Sequence, residues 1–151
     1  TVAVQAGLSE VDGVKNNIGL AANYNAGPLA IGFNYADEAD GQVDRWQLGA
    51  SYDFAVAKAF FQYGQNKFDG VSEKEKFFQI GVSVPVSAQG TILASYGNIK
   101  EGDWKATDLS VVYDHALSKR TSAYVGIKNL RDNGEDPKNG TSFGVGIKHS
   151  F

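Results

Sequence analysis

Few residues in this sequence have the types and spacing to do chemistry. Histidine is the side chain that most readily moves a proton near neutral pH, and the chain has two, His115 and His149. Neither has a serine or a carboxylate placed around it by a recognisable motif, so a solvated turn histidine and an interfacial histidine are the competing readings. Carboxylates gather twice, as Asp37, Glu38, Asp40 and Asp44 and as Asp132, Glu135 and Asp136. Hard divalent cations take carboxylate oxygens, but the spacing matches no EF-hand, and solvated loops are the other reading. No catalytic residue and no metal ligand is assigned. Asn139-Gly140-Thr141 fits the glycosylation sequon and reads here as a turn before a strand. The Gly-x-Gly at Gly144 and Gly146 opens no helix, so it is a weak nucleotide signal. The basic residues Arg45, Lys58, Lys128 and Lys148 are more informative, because they sit in segments of alternating polarity. Charges lining a pore bias which ions enter, and rings of Arg or Lys favour anions.

Those segments read as strands. The closing residues SFGVGIKHSF set Phe143, Val145, Ile147 and Phe151 against Ser142, Gly144, Gly146, Lys148 and Ser150. A period of two makes a strand with one apolar and one polar face. The alternation recurs and predicts ten strands, near residues 2–8, 15–25, 29–36, 43–54, 57–67, 74–84, 91–99, 105–114, 121–130 and 141–151. Most are close to the roughly 9–11 residues that a tilted strand needs to cross a bilayer; soluble strands average about 5–6. The connections alternate too. Those at 26–28, 55–56 and 116–119 are short, and 85–90 is somewhat longer. Between them come the polar stretches SEVDG, DEADGQ, FDGVSE, KEGD and RDNGEDPKNG. Short turns at one end and longer polar loops at the other mark an up-and-down membrane barrel. The expected fold is all-β, a transmembrane antiparallel up-and-down β-barrel, in one domain over residues 1–151.

Sorting by parity separates two faces. One carries Ile18, Leu20, Ala22 and Tyr24, then Trp46, Leu48, Ala50 and Tyr52, then Phe78, Ile80, Val82 and Val84. The other carries Asn23, Gly32, Asn34, Gln47, Gly49, Ser51, Gln62, Gln79 and Ser110. The solvent face of a soluble sandwich tends to carry long charged residues, whereas small neutral ones fit the wall of a water-filled lumen. The expected pore-lining residues are Arg45, Lys58, Gln62, Asp108, Asp114, Lys128 and Lys148. The two aspartates partly offset the cations, and the competing reading is that these charges only keep the wall wet. Aromatic residues gather at strand ends: Tyr24, Tyr52, Phe54, Tyr113 and Phe151 towards the short turns, and Tyr35, Trp46 and Trp104 towards the long loops. They suit a membrane girdle, apolar in body and, for Tyr and Trp, polar at one end.

Bulk composition sets weaker bounds. A chain of 151 residues makes one domain at most, with Gly at 18, Pro at 3 and no Cys. No run approaches the roughly 18 apolar residues of a membrane helix. A mean hydropathy of −0.27 looks soluble, but a barrel strand gives only half its residues to lipid. A net charge of −3 and scattered Lys and Arg argue against nucleic acid. The chain starts at Thr1 with no basic-then-apolar leader, which fits a mature chain or a fragment.

The stretches YNAGPLAIGFNYA, WQLGASYDFAVAKAFFQYGQNKF, YDHALSKRTSAYVGIKNL and GVGIKHSF together resemble the carboxy-terminal half of Gram-negative general porins, nearest to the trimeric type of β-proteobacteria. The resemblance covers essentially the whole chain, and LSKRTSAYVG followed by GVGIKHSF is its most specific part. It implies the last ten strands of a sixteen-stranded barrel in the bacterial outer membrane. It also implies a homotrimer, passive diffusion of ions and small hydrophilic solutes with a modest anion preference, contact with outer-membrane lipid and lipopolysaccharide, no cofactor and no enzyme activity. The row Phe143, Val145, Ile147 and Phe151 is similar to the terminal strand read by the outer-membrane barrel assembly machinery. One departure stands out: no segment matches the long third loop that folds into such pores. A self-contained ten-stranded barrel is the alternative, and its narrow interior calls for larger inward side chains. Two other readings stay open. A non-conducting structural or adhesive barrel calls for bulky or ion-paired inward side chains. An outer-membrane protease calls for chemistry at the extracellular rim, whereas both histidines fall at the other end.

Overall fold

The computed structural model describes residues 1–9, 17–37, 43–134, 137 and 139–151, with the backbone alone for 3–9 and 17. Its strands are β1 (Val2–Ser9), β2 (Asn17–Ala26), β3 (Leu29–Asp37), β4 (Val43–Asp53), β5 (Lys58–Phe68), β6 (Lys74–Pro85), β7 (Gly90–Glu101), β8 (Trp104–Ala116), β9 (Thr121–Asp132) and β10 (Gly140–His149). They form one sheet in chain order, each strand antiparallel to the next. All ten expected strands are present. β7, β8 and β9 run further towards the polar connections than the alternation indicated, and Phe54, Ala57 and Phe151 lie outside strands. Lys15 and Asn16, expected to open β2, lie outside the described residues.

Pairing keeps one parity across the sheet. Gly32 faces Gly49, Gly49 faces Gln62, Gln62 faces Gln79, Gln79 faces Gly97 and Gly97 faces Asp108. A slip of one residue anywhere would turn a whole strand's apolar row to the polar face. Among the described residues each strand's backbone lies against only its chain neighbours, so no second layer covers either face. No described side chain is fully buried, and the apolar row stays open, with Leu109 at 53% and Val125 at 54% exposure. A soluble sandwich packs two sheets around a core. This sheet has no such core, and an apolar face of this extent calls for a non-aqueous neighbour.

Connections at one end are tight: residues 27–28, 54–57, 86–89 and 117–120. At the other end, 69–73 and 133–139 are longer. The expected loop at KEGD is corrected here. β7 and β8 continue until only Gly102 and Asp103 remain between them, and Gly102 takes φ +56. A two-residue hairpin needs a positive φ at its first central position to match strand twist. That hairpin is long because its strands are long. Ala55 occupies the same left-handed region without being glycine, at φ +69. It is held there by its N–H donating to Asp53 Oδ1 at 2.8 Å, while the Phe54 N–H donates to the Ala57 carbonyl at 2.8 Å.

Left-handed backbone costs an L-residue about 1–2 kcal/mol, and glycine returns about 0.5–1 of that in chain entropy. Gly102→Val should therefore lower the urea midpoint of the folded protein in detergent, and Ala55→Gly should raise it slightly. Shifts of the same sign for both would show that turn strain does not govern these positions.

Candidate pore-lining face

The polar parity curves around a space. Residues from seven strands, from Asn23 on β2 to Val112 on β8, line one cavity of about 610 Å³. A face whose strands share one cavity is the concave one. Its lining mixes amides and hydroxyls, among them Asn23, Asn34, Gln47, Gln62, Gln79 and Ser110, with glycines and apolar side chains such as Phe60, Leu93 and Val112. Ser95 Oγ and Ser110 Oγ lie 2.8 Å apart, and Asn66 Nδ2 donates to Glu75 Oε1 at 2.6 Å. The hydroxyls and amides can hydrogen-bond water without adding charge, and Glu75 adds a negative one.

The register sets Arg45, Lys58, Gln62, Asp108, Asp114, Lys128 and Lys148 on this face. Geometry then couples the charges. Lys128 Nζ sits 3.7 Å from Asp108 Oδ2, and Lys148 Nζ sits 3.7 Å from Asp114 Oδ2. Buried Ser122 donates to the same Asp114 oxygen at 3.1 Å. The two lysine side chains are 55% and 70% exposed, so water screens the attraction. Pairs of this kind shape the local field more than they hold the sheet together. Lys58 faces Asp53 across the ladder, and its Nζ lies 5.4 Å from the centre of the Phe60 ring. Asp53 therefore joins Asp108 and Asp114 in offsetting the wall's cations.

The expectation of a small, neutral wall needs correction. Phe60, Phe77, Leu93, Val112 and Tyr124 also stand on the concave parity. Continuing the parity of Lys58 and Gln62 through Phe60 would have shown it; sorting by polarity hid it. Two of the rings lie flat. Phe77 covers its cross-strand partner Gly64, and Tyr124 covers its partner Gly146, so closely that an added Cβ would collide with the ring. Asp108 covers Gly97, and Val112 covers Gly126, in the same way. A glycine opposite a bulky residue gives that side chain a place along the wall.

The convex parity carries the aromatic residues Tyr24, Tyr35, Trp46, Tyr52 and Tyr113. Phe54, in the following turn, packs on Tyr52 with ring centres 4.6 Å apart. Trp104 departs from the expected girdle: it shares the parity of Asp108, and its Nε1 donates to Asp132 Oδ1 at 2.8 Å. It opens β8 on the concave face, where a carboxylate satisfies its indole. Two ring contacts extend the outer belt beyond the residues expected, Trp46 with Tyr63 at 5.5 Å and Phe78 with Tyr96 at 5.8 Å. Phe143, Val145 and Ile147 form a row 72–84% exposed on β10. Phe151 lies past that strand, its ring 4.8 Å from that of His149.

Both histidines sit on the convex parity at the short-turn end. His115 Nδ1 is 3.0 Å from the Tyr113 hydroxyl, and His149 Nδ1 is 2.9 Å from Thr121 Oγ1. Asp37 and Asp44 face each other, while Glu38 and Asp40 lie outside the described residues. Asp132 accepts from Trp104 and from the Gly134 N–H, while Glu135 and Asp136 lie outside the described residues. Among the described residues no three His, Asp or Glu are grouped to hold a metal ion.

A concave face bearing amides, hydroxyls and charges, an uncovered apolar convex face and strands of membrane length occur together. The model of one protein family, Gram-negative porin, matches residues 1–135. The chain belongs to the Gram-negative porin family. It is 33% identical over 136 residues to Outer membrane porin protein 32 of Delftia acidovorans, covering 83% of this chain and 39% of that protein. It is 31% identical to an outer membrane porin protein of Bordetella pertussis, covering 94% of this chain and 38% of that one. An anion-selective porin from Comamonas acidovorans superposes with a TM-score of 0.84 at 28% identity, covering 99% of this chain and 56% of that structure. The chain thus spans well under two thirds of the porins it matches. A porin resides in the Gram-negative outer membrane, where lipid is the non-aqueous neighbour that the convex face requires.

The glycine contacts separate two kinds of site in this porin. At Gly64 a Cβ would meet the Phe77 ring and also the Trp46 carbonyl oxygen at 2.7 Å, which is backbone and cannot turn aside. At Gly146 the nearest atoms it would meet all belong to the Tyr124 side chain. Gly64→Ala should cost about 1–3 kcal/mol of unfolding free energy. Gly146→Ala should cost about 1 kcal/mol or less, since Tyr124 can rotate away. Urea titration of the folded protein in detergent distinguishes them, and equal losses would refute the flat-ring packing.

Proposed function

We propose that the chain forms part of the wall of a water-filled channel for passive diffusion of ions and small hydrophilic solutes across the outer membrane. The observation that carries this is the concave face, a cavity of about 610 Å³ to which seven strands contribute amides and hydroxyls among apolar residues, backed by an apolar exterior. Such a wall acts through width and field. Solutes stay hydrated, size sets the cutoff, and charge biases entry. The flat rings of Phe77 and Tyr124 favour conduction over a plugged barrel, because their bulk lies along the wall.

Among the described residues β1 pairs only with β2 and β10 only with β9. A bilayer does not tolerate the unpaired N–H and C=O groups of two such edges, so further strands close the barrel, sixteen in all by the resemblance. The apolar exterior then meets lipid, lipopolysaccharide and two sister subunits of a homotrimer. The exposed row Phe143, Val145 and Ile147, with Phe151 beyond it, is what the barrel assembly machinery reads on β10. The pore-lining residues are Arg45, Lys58, Gln62, Asp108, Asp114, Lys128 and Lys148. The girdle is Tyr24, Tyr35, Trp46, Tyr52, Phe54, Tyr113 and Phe151. Ion preference is modestly anionic, as in the anion-selective relative. The four cations favour it, and Asp53, Glu75, Glu101, Asp108, Asp114 and Asp132 on the same parity oppose it.

Single-channel recording of the full-length porin in planar bilayers tests the channel itself. Stepwise conductance proportional to salt concentration is expected; a folded oligomer that never conducts would exclude it. Across a KCl gradient, Asp108→Asn with Asp114→Asn should move the zero-current potential towards chloride, and Lys58→Gln should move it towards potassium. If neither variant moves it, the field that selects ions is not set by these residues.

A further inference from the structure

The outer rings show how depth runs through the register. Tyr63 lies two positions nearer the short turns than the register partner of Trp46. Phe78 lies directly opposite Tyr63, and Tyr96 lies two positions nearer the short turns than the partner of Phe78. The same steps on the concave face lead from Phe60 to Gly81, directly opposite, then to Leu93, two positions on. They continue to Val112, directly opposite, and to Tyr124, two positions on. Four apolar or aromatic side chains on four strands thus stand at one depth, with Gly81 between the first two. Phe60, Leu93 and Tyr124 are exposed to the space they face.

The tiers on either side differ. Towards the long loops come Gln62, Gln79, Ser95 and Ser110; towards the short turns come Lys58, Ser83, Thr91 and Asp114. Apolar side chains scattered over a wet wall would need no explanation. An apolar tier held between two polar ones has the composition of a ligand site, apolar in body with a few polar groups to orient what it binds.

One polar group is placed to do so. Half-buried Lys58 holds its Nζ 5.4 Å from the centre of the Phe60 ring. Its cross-strand neighbour Asp53 accepts the Ala55 N–H at Oδ1, and among the described residues Lys58 has no ion-pair partner. Lys128 and Lys148, by contrast, are taken by Asp108 and Asp114. Beside Phe60 the missing side chain of Gly81 leaves a notch, and Leu93 follows on the next strand. Phe60, Gly81, Leu93 and Val112 all line the cavity of about 610 Å³. Lys58 lines a neighbouring cavity that shares Asn25, Ala30 and Ser51 with it. The complement of this surface is a planar apolar ring with a negative group at one end.

We propose that the tier is a binding step for aromatic monocarboxylates passing through the pore. The ring lies over Gly81 against Phe60 and Leu93, and the carboxylate meets Lys58. The proposal rests on the channel reading and names the solute class that this part of the wall favours. Charge alone would attract every small anion, whereas a ring and a cation side by side favour solutes that carry both complements.

The test is titration of benzoate against the KCl current of the full-length porin in planar bilayers, with acetate lacking the ring and benzyl alcohol lacking the charge. Benzoate should halve the current at a roughly tenfold lower concentration than acetate, the factor that burying about 55 Å² of apolar surface supplies at about 25 cal/mol per Å². Phe60→Gln with Leu93→Gln should bring benzoate to the acetate level, and Lys58→Gln should bring it to the benzyl alcohol level. Phe60→Tyr, which keeps the ring, should leave the block in place. Equal block by benzoate and either control, or a double variant blocked as well as the unaltered porin, would overturn the proposal. So would insensitivity to benzoate in a porin whose double variant no longer folds, which would mean that another part of the chain covers the tier. Conductance without benzoate reports on the channel reading separately: a porin that conducts KCl and ignores benzoate sinks this proposal alone.

Discussion

A strand that leaves water must find every backbone hydrogen bond on its neighbours, because lipid offers neither donors nor acceptors. That requirement explains the simplicity of this sheet. Each strand pairs antiparallel with the next in the chain, through hairpins that need no crossover. Once pairing is complete and unslipped, side-chain parity carries from strand to strand. One residue's face then decides the face of its partners, as the row from Gly32 to Asp108 shows. Lipid on one side and water on the other replace the core that a soluble domain would need.

The same register governs how far side chains stand from the wall. Bulky groups on the concave face would narrow any space they enclose. Here Phe77, Tyr124, Val112 and Asp108 each lie over a cross-strand glycine. Glycine weakens a strand by entropy and by lost packing, but cross-strand contact with a ring returns part of that packing. The abundance of glycine in this chain is thus partly a packing device: half of each pair is missing so that the other half can lie down.

The fold was largely legible because period-two alternation over ten residues has few alternative explanations. The short turns were legible because residues such as Gly27-Pro28 punctuate it. What escaped had physical causes. KEGD has a loop's composition, yet strand ends beyond the bilayer are equally polar, so composition alone could not tell them apart. Trp104 was placed on the outer face by its type and its nearness to a loop, while its parity with Asp108 puts it inside. Neither ion pair is a register pair: Lys128 faces Ser110 and reaches Asp108 diagonally, while Lys148 faces Ser122 and reaches across β9 to Asp114 on β8. Opposite charges on one parity were visible in the sequence, but their meeting depends on the twist and on side-chain reach.

The aromatic residues record a quantity that no single strand contains. From Tyr24 the register leads through Ile31 to Ala50, yet the ring on β4 is Tyr52, two positions nearer the short turns. From Trp46 it leads through Gln65 to Lys76, yet the rings are Tyr63 and Phe78, again two positions nearer the short turns. Both belts drift the same way across the sheet. Rings held at a constant depth must drift along the register if the strands cross the membrane at a slant, and barrel strands tilt by about 35–45°. A flat sheet standing upright would keep its aromatic residues in one register row. The shared drift is therefore independent support for a tilted, curved sheet in a bilayer, and it comes from residues whose only common property is their preference for the headgroup zone.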